Sequence, residues 1–400
     1  MNVIKKIASR VFQGAMYIVT PFLPWRKPEL LVGENKILEL PNLIKKQGLS
    51  KVLVVTSKDL IDLGLLNGLF TQMKNDSLEY VVYDGTIPNP TIDNIEEGLA
   101  LYNENNCQGI IAFGGGSPMD CAKGIGARVA RPDKKVSQMK GLLKILKKLP
   151  LVFAVPTTAG TGSEVTVAAV ITDSSTHEKY PINDPMLIPR FAVLDPLLTL
   201  GLPKGITSTT GVDALTHAVE AYIGKGNTSE TKDMAEKAVK LIHDNLYTAY
   251  SNGKDIEARM NMQLAAHYAG IAFTRAYVGY VHAIAHSLGG QYSIPHGLAN
   301  AIILPHVLEY YGDTVYDKLS SLAKIVGIVG ISSKEKAERF IQWIKDLNKS
   351  MGIPNKVPGI IEEDIPVLVK RALSEANPLY PVPKFMDEKD MNAMYHQIMA

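Results

Sequence analysis

Four histidines and one aspartate stand at spacings that suit a metal. Asp213 and His217 lie four apart in Gly211-Val-Asp-Ala-Leu-Thr-His217, and His282 and His286 repeat the interval in Val281-His-Ala-Ile-Ala-His-Ser-Leu-Gly289. On a helix, residues i and i+4 share a face, so a carboxylate and an imidazole can grip one ion. Gly289-Gly290 is expected to end the second helix, and Pro295-His296-Gly297 to open the next. The surrounding sequence is apolar. Several buried imidazoles and a carboxylate are costly unless they pair or bind a cation. A mixed nitrogen and oxygen set suits Fe(II), Zn(II) or a similar divalent ion, and spacing alone does not choose between them. His267 and His306 fall in helical stretches and are read as structural. His177, His243 and His396 are read as surface residues.

Two further segments suit phosphate. The apolar run Gly109-Ile-Ile-Ala-Phe113 leads into Gly114-Gly115-Gly116-Ser117 and then a helix. Glycines let the backbone approach a ligand, and a helix N-terminus offers free N–H groups and the positive end of a dipole. Leu151-Val-Phe-Ala-Val155 ends in Pro156-Thr-Thr-Ala-Gly-Thr-Gly-Ser-Glu164, with four hydroxyls. Ligands of open α/β sheets bind at such carboxyl ends. Two loops of this kind on one sheet edge point to a dinucleotide.

The elements that must hold these residues divide the chain. Apolar strand patterns at 51–56, 80–83, 109–113, 151–155 and 191–194 alternate with amphipathic stretches such as 91–106 and 118–130, which implies a parallel, doubly wound sheet. After Leu202-Pro203 helical periodicity takes over, at 208–224, 230–251, 255–288, 297–310, 313–327, 334–350 and 361–374. The expected domains are therefore 1–203, α/β and dinucleotide-binding, and 204–400, all-helical and metal-binding. The lysine-rich stretch 132–150 reads as a solvated helix face.

Composition bounds the function. The chain has 400 residues, 46% of them hydrophobic, and 42 basic residues against 40 acidic ones. A net charge of +2 argues against a nucleic-acid partner, which calls for clustered cation. Two cysteines, Cys107 and Cys121, exclude a disulfide scaffold and fit a reducing, cytoplasmic setting. No transmembrane span is expected. Residues 1–25 pattern as an amphipathic helix, expected to dock on its own protein, with an interfacial membrane anchor as the alternative.

Together these motifs resemble the iron-containing (group III) alcohol dehydrogenase family, from about residue 30 to the C-terminus. The resemblance implies a Rossmann-like N-terminal domain, a helical C-terminal domain and catalysis in a cleft between them. It implies that Asp213, His217, His282 and His296 hold Fe(II), or Zn(II), and that His286 lies near the nicotinamide and takes part in proton transfer. It places Ser57, Asn89, Gly115, Gly116, Ser117, Thr157, Thr158, Thr161, Thr166 and Lys179 at the cofactor, and Phe273 at the substrate pocket. The implied activity is hydride transfer between NAD(P) and a small alcohol or aldehyde, in a homodimer or larger homo-oligomer. A dehydroquinate-synthase-like lyase or glycerol-dehydrogenase-like polyol oxidation is the alternative on the same scaffold. The sequence departs from NAD-specific members after the first expected strand, where Thr56-Ser57-Lys58 replaces an aspartate. Loss of that carboxylate removes repulsion toward a 2′-phosphate, so NADP is expected to be tolerated or preferred.

Overall fold

The computed structural model describes residues 3–176 and 178–400. The expected surface position of His177 therefore lies outside the described residues. The chain forms two compact units.

The unit Pro24–Gly201 is built on a six-stranded parallel sheet. Its strands are β1 (Glu29–Val32), β2 (Lys51–Val55), β3 (Glu79–Tyr83), β4 (Gly109–Gly114), β6 (Leu151–Pro156) and β9 (Phe191–Leu194), in the order β1-β9-β6-β4-β2-β3. Alternation along each strand explains the burial. Val52, Val54, Ile111, Phe113, Phe153 and Val155 fill the core on one face, while Leu53, Val55, Ile110, Ala112, Val152 and Ala154 fill the other. Helices α2 (Leu40–Lys46), α3 (Lys58–Asp62), α4 (Asn67–Asn75), α5 (Ile92–Glu104) and α6 (Gly116–Ala130) complete the layers. β2 leads outward to β3, and the chain then returns across β2 to β4. The direction of winding thus reverses between β2 and β4, a topological switch point.

The same unit carries a second sheet that the strand patterns did not announce: β5 (Gly141–Leu142), β7 (Ala168–Asp173) and β8 (Glu178–Asn183), in the order β5-β8-β7. β5 lies in the lysine-rich segment, which forms a short 3₁₀ turn at Val136–Met139 and no α-helix. The buried Asp184 carboxylate accepts from the amides of Ile145 and Leu146 at 2.9 and 3.0 Å and holds the chain in an irregular path. Val136, Met139 and Ile145 are buried there.

The other unit joins the described residues up to Leu23 to Leu202–Ala400. It contains α1 (Val3–Val19), α7 (Lys204–Ile223), α8 (Ser229–Ser251), α9 (Ile256–Ala276), α10 (Tyr280–Tyr292), α11 (His296–Tyr311), α12 (Tyr316–Ile325), α13 (Ser333–Ser350), α14 (Ile365–Ala376) and α15 (Glu388–Ile398). Three differences from the sequence reading stand out. The segment before Leu23 groups with the helical unit rather than with residues 24–203, because Arg10 and Gln13 bond to carbonyls between Pro378 and Pro383. The single helix expected over 255–288 is two, broken at Tyr277–Gly279. Gly289-Gly290 does not end α10, which runs on to Tyr292 and is capped by Ser293 in the left-handed region.

Candidate metal and cofactor sites

Three helices of the C-terminal unit bring the expected donors together. Asp213 and His217 project from α7, His282 from α10, and His296 from the first position of α11. One ligand atom from each lies within 4.8 Å of all the others. Asp213 and His282 are each 2% exposed, while His296 is partly open to solvent. The His217 and His282 rings stack with centroids 4.5 Å apart, and His296 lies tilted against His282 at 5.4 Å. Phe273 of α9 closes one side by lying flat on His217 at 4.1 Å.

The break between α9 and α10 exists to serve this cluster. Glu220, two turns along α7 from Asp213, accepts from the Gly279 and Val281 amides at 2.9 and 2.8 Å and from His282 Nδ1 at 2.6 Å. Its carboxylate caps α10 while orienting the imidazole. A Cβ at Gly279 would meet Glu220 Oε1 at 2.7 Å, so glycine is required by the close approach. Burial pushes the Glu220 carboxyl up to about 8, against the donors that pull it down.

These bonds test whether the set fits a cation. With Nδ1–H donated to Glu220, His282 turns the lone pair of Nε2 toward the cluster, the tautomer a metal needs. Burial and the neighbouring imidazoles hold His282 well below its ordinary value and keep it neutral. The Asn300 side-chain amide, one turn along α11 from His296, donates toward Asp213 Oδ1 (2.7 Å), His282 Nε2 (3.2 Å) and His296 Nε2 (3.1 Å). Three acceptors thus face one point that offers only two N–H bonds. Convergent lone pairs, one carboxylate and three imidazoles fit a divalent first-row ion.

His286 stands apart from the four. Its ring stacks on His296 at 5.0 Å, and its Nδ1 bonds Glu375 Oε1 at 2.6 Å. Tyr380 donates its hydroxyl to the same Glu375 oxygen at 2.7 Å. Glu220, Asn300 and Glu375 were missed in the sequence. The first follows Asp213 at i+7 and the second follows His296 at i+4, on helical faces already singled out. Glu375 carries no local signal, since its partner lies 89 residues away. The other histidines keep structural or surface places: His267 is buried, His306 bonds the Asn355 carbonyl, His243 pairs with Asp244, and His396 faces Glu362.

In the sheet unit, Ser57, Gly115 to Ser117 and Thr157 to Thr161 follow the carboxyl ends of β2, β4 and β6, while Asn89 follows β3 and Lys179 lies on β8. Gly115 and Gly116 sit so close to the second loop that a Cβ on each would touch Thr158 at 3.3 Å and Thr161 at 3.1 Å. The Thr157 amide donates to the Gly114 carbonyl at 3.1 Å. Ser117 Oγ accepts from the Asn89 amide at 3.2 Å, and Lys179 donates to Asn89 Oδ1 at 2.7 Å. Asn89, Ser117 and Lys179 thus form one chain from the glycine loop to the small sheet. Thr166 differs: it is buried and turned inward, accepting from Lys123 Nζ at 3.0 Å. Lys123 is fully buried and also donates to Ser163 Oγ and the Ala168 carbonyl; burial pushes its ammonium down to about 8. Ser57 follows β2 and precedes exposed Lys58, with Asp59 next in the first turn of α3.

Residues 28–196 match the iron-containing alcohol dehydrogenase family, and residues 207–399 match the C-terminal part of the Fe-containing alcohol dehydrogenase family. The chain is 39% identical over 371 residues to 1,3-propanediol dehydrogenase from Klebsiella pneumoniae, covering 91% of this chain and 95% of that one. It is 37% identical over 348 residues to lactaldehyde reductase from Escherichia coli (strain K12), covering 86% and 91%. The crystal structure of a 1,3-propanediol oxidoreductase superposes with a TM-score of 0.90 at 37% identity, covering 94% of this chain and all of the other. By its matched halves and its relatives, the chain belongs to the iron-containing alcohol dehydrogenase family.

Proposed function

We propose that Asp213, His217, His282 and His296 hold one divalent cation, iron in the first instance, and that the loops after β2, β4 and β6 hold NAD(P). The chain is an oxidoreductase of the alcohol dehydrogenase kind, and the substrate we assign is a small alcohol or its aldehyde. The observation that supports this most strongly is the convergence of four donor atoms within 4.8 Å, with the His282 tautomer set by Glu220.

When bound, the cation supplies Lewis-acid polarisation of the substrate oxygen and the nicotinamide supplies the hydride position. The chain's own residues do the rest. Glu220 orients His282 while burial and the neighbouring imidazoles keep it neutral, so the donor set is pre-formed rather than assembled on binding. Phe273 keeps water from one flank of His217. His286, whose Nδ1–H is taken by Glu375, can accept the alcohol proton at Nε2, and Glu375 stabilises the imidazolium that results. Gly115, Gly116 and Ser117, at the start of α6, offer backbone amides and a helix dipole to a pyrophosphate. Asn89 and Lys179 are placed to meet the ribose side, and Thr157, Thr158 and Thr161 line the second loop. Thr166 serves that loop from within, through Lys123. At the end of β2, Thr56-Ser57-Lys58 stand where NAD-specific relatives of this family would place an aspartate, so NADP is accepted beside NAD.

The test is oxidation of NADH and NADPH by short aldehydes with metal-replete protein, alongside metal analysis of His282→Ala. The variant is expected to lose both bound metal and turnover. Retention of both would refute the ligand assignment.

A further inference from the structure

The first helix is docked by its polar side. At helical spacing, α1 places Ser9, Arg10, Gln13 and Met16 on one face and Ile4, Ile7, Val11 and Ile18 on the opposite one. The polar face is turned toward the helical unit. Ser9 is buried, Arg10 donates to the Val382 carbonyl at 2.8 Å and lies over the Phe385 ring at 4.1 Å, and Gln13 Nε2 donates to the Pro378 and Tyr380 carbonyls at 2.8 and 2.9 Å. These bonds fix the roll of the helix. The aliphatic stripe consequently faces outward: Ile4 is 77% exposed, Val11 67% and Ile18 68%, and Phe22 just beyond is 85% exposed. A contiguous apolar stripe held outward by specific bonds marks an interaction surface.

Charge identifies what it meets. Residues 1–28 carry Lys5, Lys6, Arg10, Arg26 and Lys27 and no aspartate or glutamate. Within the helix, Lys5 and Lys6 are both exposed, and Lys6 is within Coulombic reach of Asp387. Exposed Lys225 adds charge near Arg10. Pairing two copies through this stripe would set like charges against each other, whereas anionic headgroups would neutralise them. Phe12 lies on one flank of the stripe, 36% exposed, where an aromatic ring suits the boundary between headgroups and acyl chains. Among the described residues no helix is long and apolar enough to cross a membrane, so α1 would lie in the surface plane. We infer that α1 is an interfacial anchor seating this enzyme on an anionic lipid surface, with Ile4, Ile7, Val11 and Ile18 at the acyl boundary and Lys5 among the headgroups.

Vesicle flotation of the full chain tests this, with phosphatidylcholine vesicles compared with vesicles containing phosphatidylglycerol. The expected result is flotation with the anionic vesicles, weakened by added salt, and little with phosphatidylcholine alone. The double variant Val11→Glu, Ile18→Glu changes only outward positions. It should keep the basal rate of NADH oxidation while its vesicle partition falls by about tenfold or more. Lys5→Glu should lose most of the salt-dependent part. Absence of flotation with anionic vesicles, or equal flotation by the double variant, overturns the inference. So does a lipid-free sedimentation mass that is larger for the wild type than for the double variant, since a second copy would then cover the stripe.

Discussion

Glu375 fixes the tautomer of His286 as Glu220 fixes that of His282, but the two carboxylates serve different tasks. Glu220 is buried against backbone donors and orients an imidazole of the proposed metal set. Glu375 is partly open, shared between His286 and Tyr380, and orients an imidazole that the cation does not need. Replacing Glu375 by Gln preserves the shape and can leave His286 with the wrong nitrogen protonated. The expected outcome is a kcat lowered about 10–100-fold, the range seen when a partner that orients an imidazole is lost. Metal content by atomic absorption should stay at the wild-type level. A fall in metal content in step with activity would move Glu375 into the metal-holding set. At this scale the sequence was most legible where partners share one helix. Asp213 with His217 follows directly from 3.6-residue periodicity. Glu220 with His282, 62 residues apart, needs the packing of α7 on α10 to be known.

Elements were legible when their pattern was purely local. The five apolar strand runs of the sheet fall in β2, β3, β4, β6 and β9, because a buried parallel strand is apolar throughout. β8 was not legible, since Glu178, Lys179 and Pro181 break any such run and only pairing with β7 makes it a strand. For α1 the periodicity gave the helix, but its roll depends on carbonyls near residue 380 that periodicity does not contain. Helix-on-helix approach is equally non-local, and one glycine shows its consequence. Gly297, beside His296, packs so closely on α7 that a Cβ would lie 2.6 Å from the Thr209 carbonyl oxygen, a backbone atom that cannot swing away. Gly297→Ala should push α11 from α7 and so separate His296 from Asp213. Overpacking of this kind costs about 1–3 kcal/mol of stability. Metal affinity should fall as well, as a titration of the metal-free protein would register. Unchanged affinity together with lowered stability would mean that the α7–α11 spacing does not set the site.

At the scale of the whole chain, the donors that gather at the cluster come from α7, α10 and α11, while the loops proposed for the nucleotide belong wholly to the other unit. A ligand stabilises only what it binds in the native state. Cation should therefore raise the unfolding temperature of the helical unit through three helices it ties together, and removal by chelator should reverse this. At a free metal concentration about 100 times Kd, the linkage contributes about 2.7 kcal/mol. For a unit of this size that corresponds to a rise of about 5–10 °C in Tm. Calorimetry of the metal-free protein with and without Fe(II) under anaerobic conditions measures it. His282→Ala should abolish the rise, because it removes a donor whose geometry Glu220 already holds in place. If the two units melt as separate transitions, only that of the helical unit should move with metal, and only that of the sheet unit with NAD(P). A metal-induced shift confined to the sheet unit would contradict the placement of the cation among α7, α10 and α11.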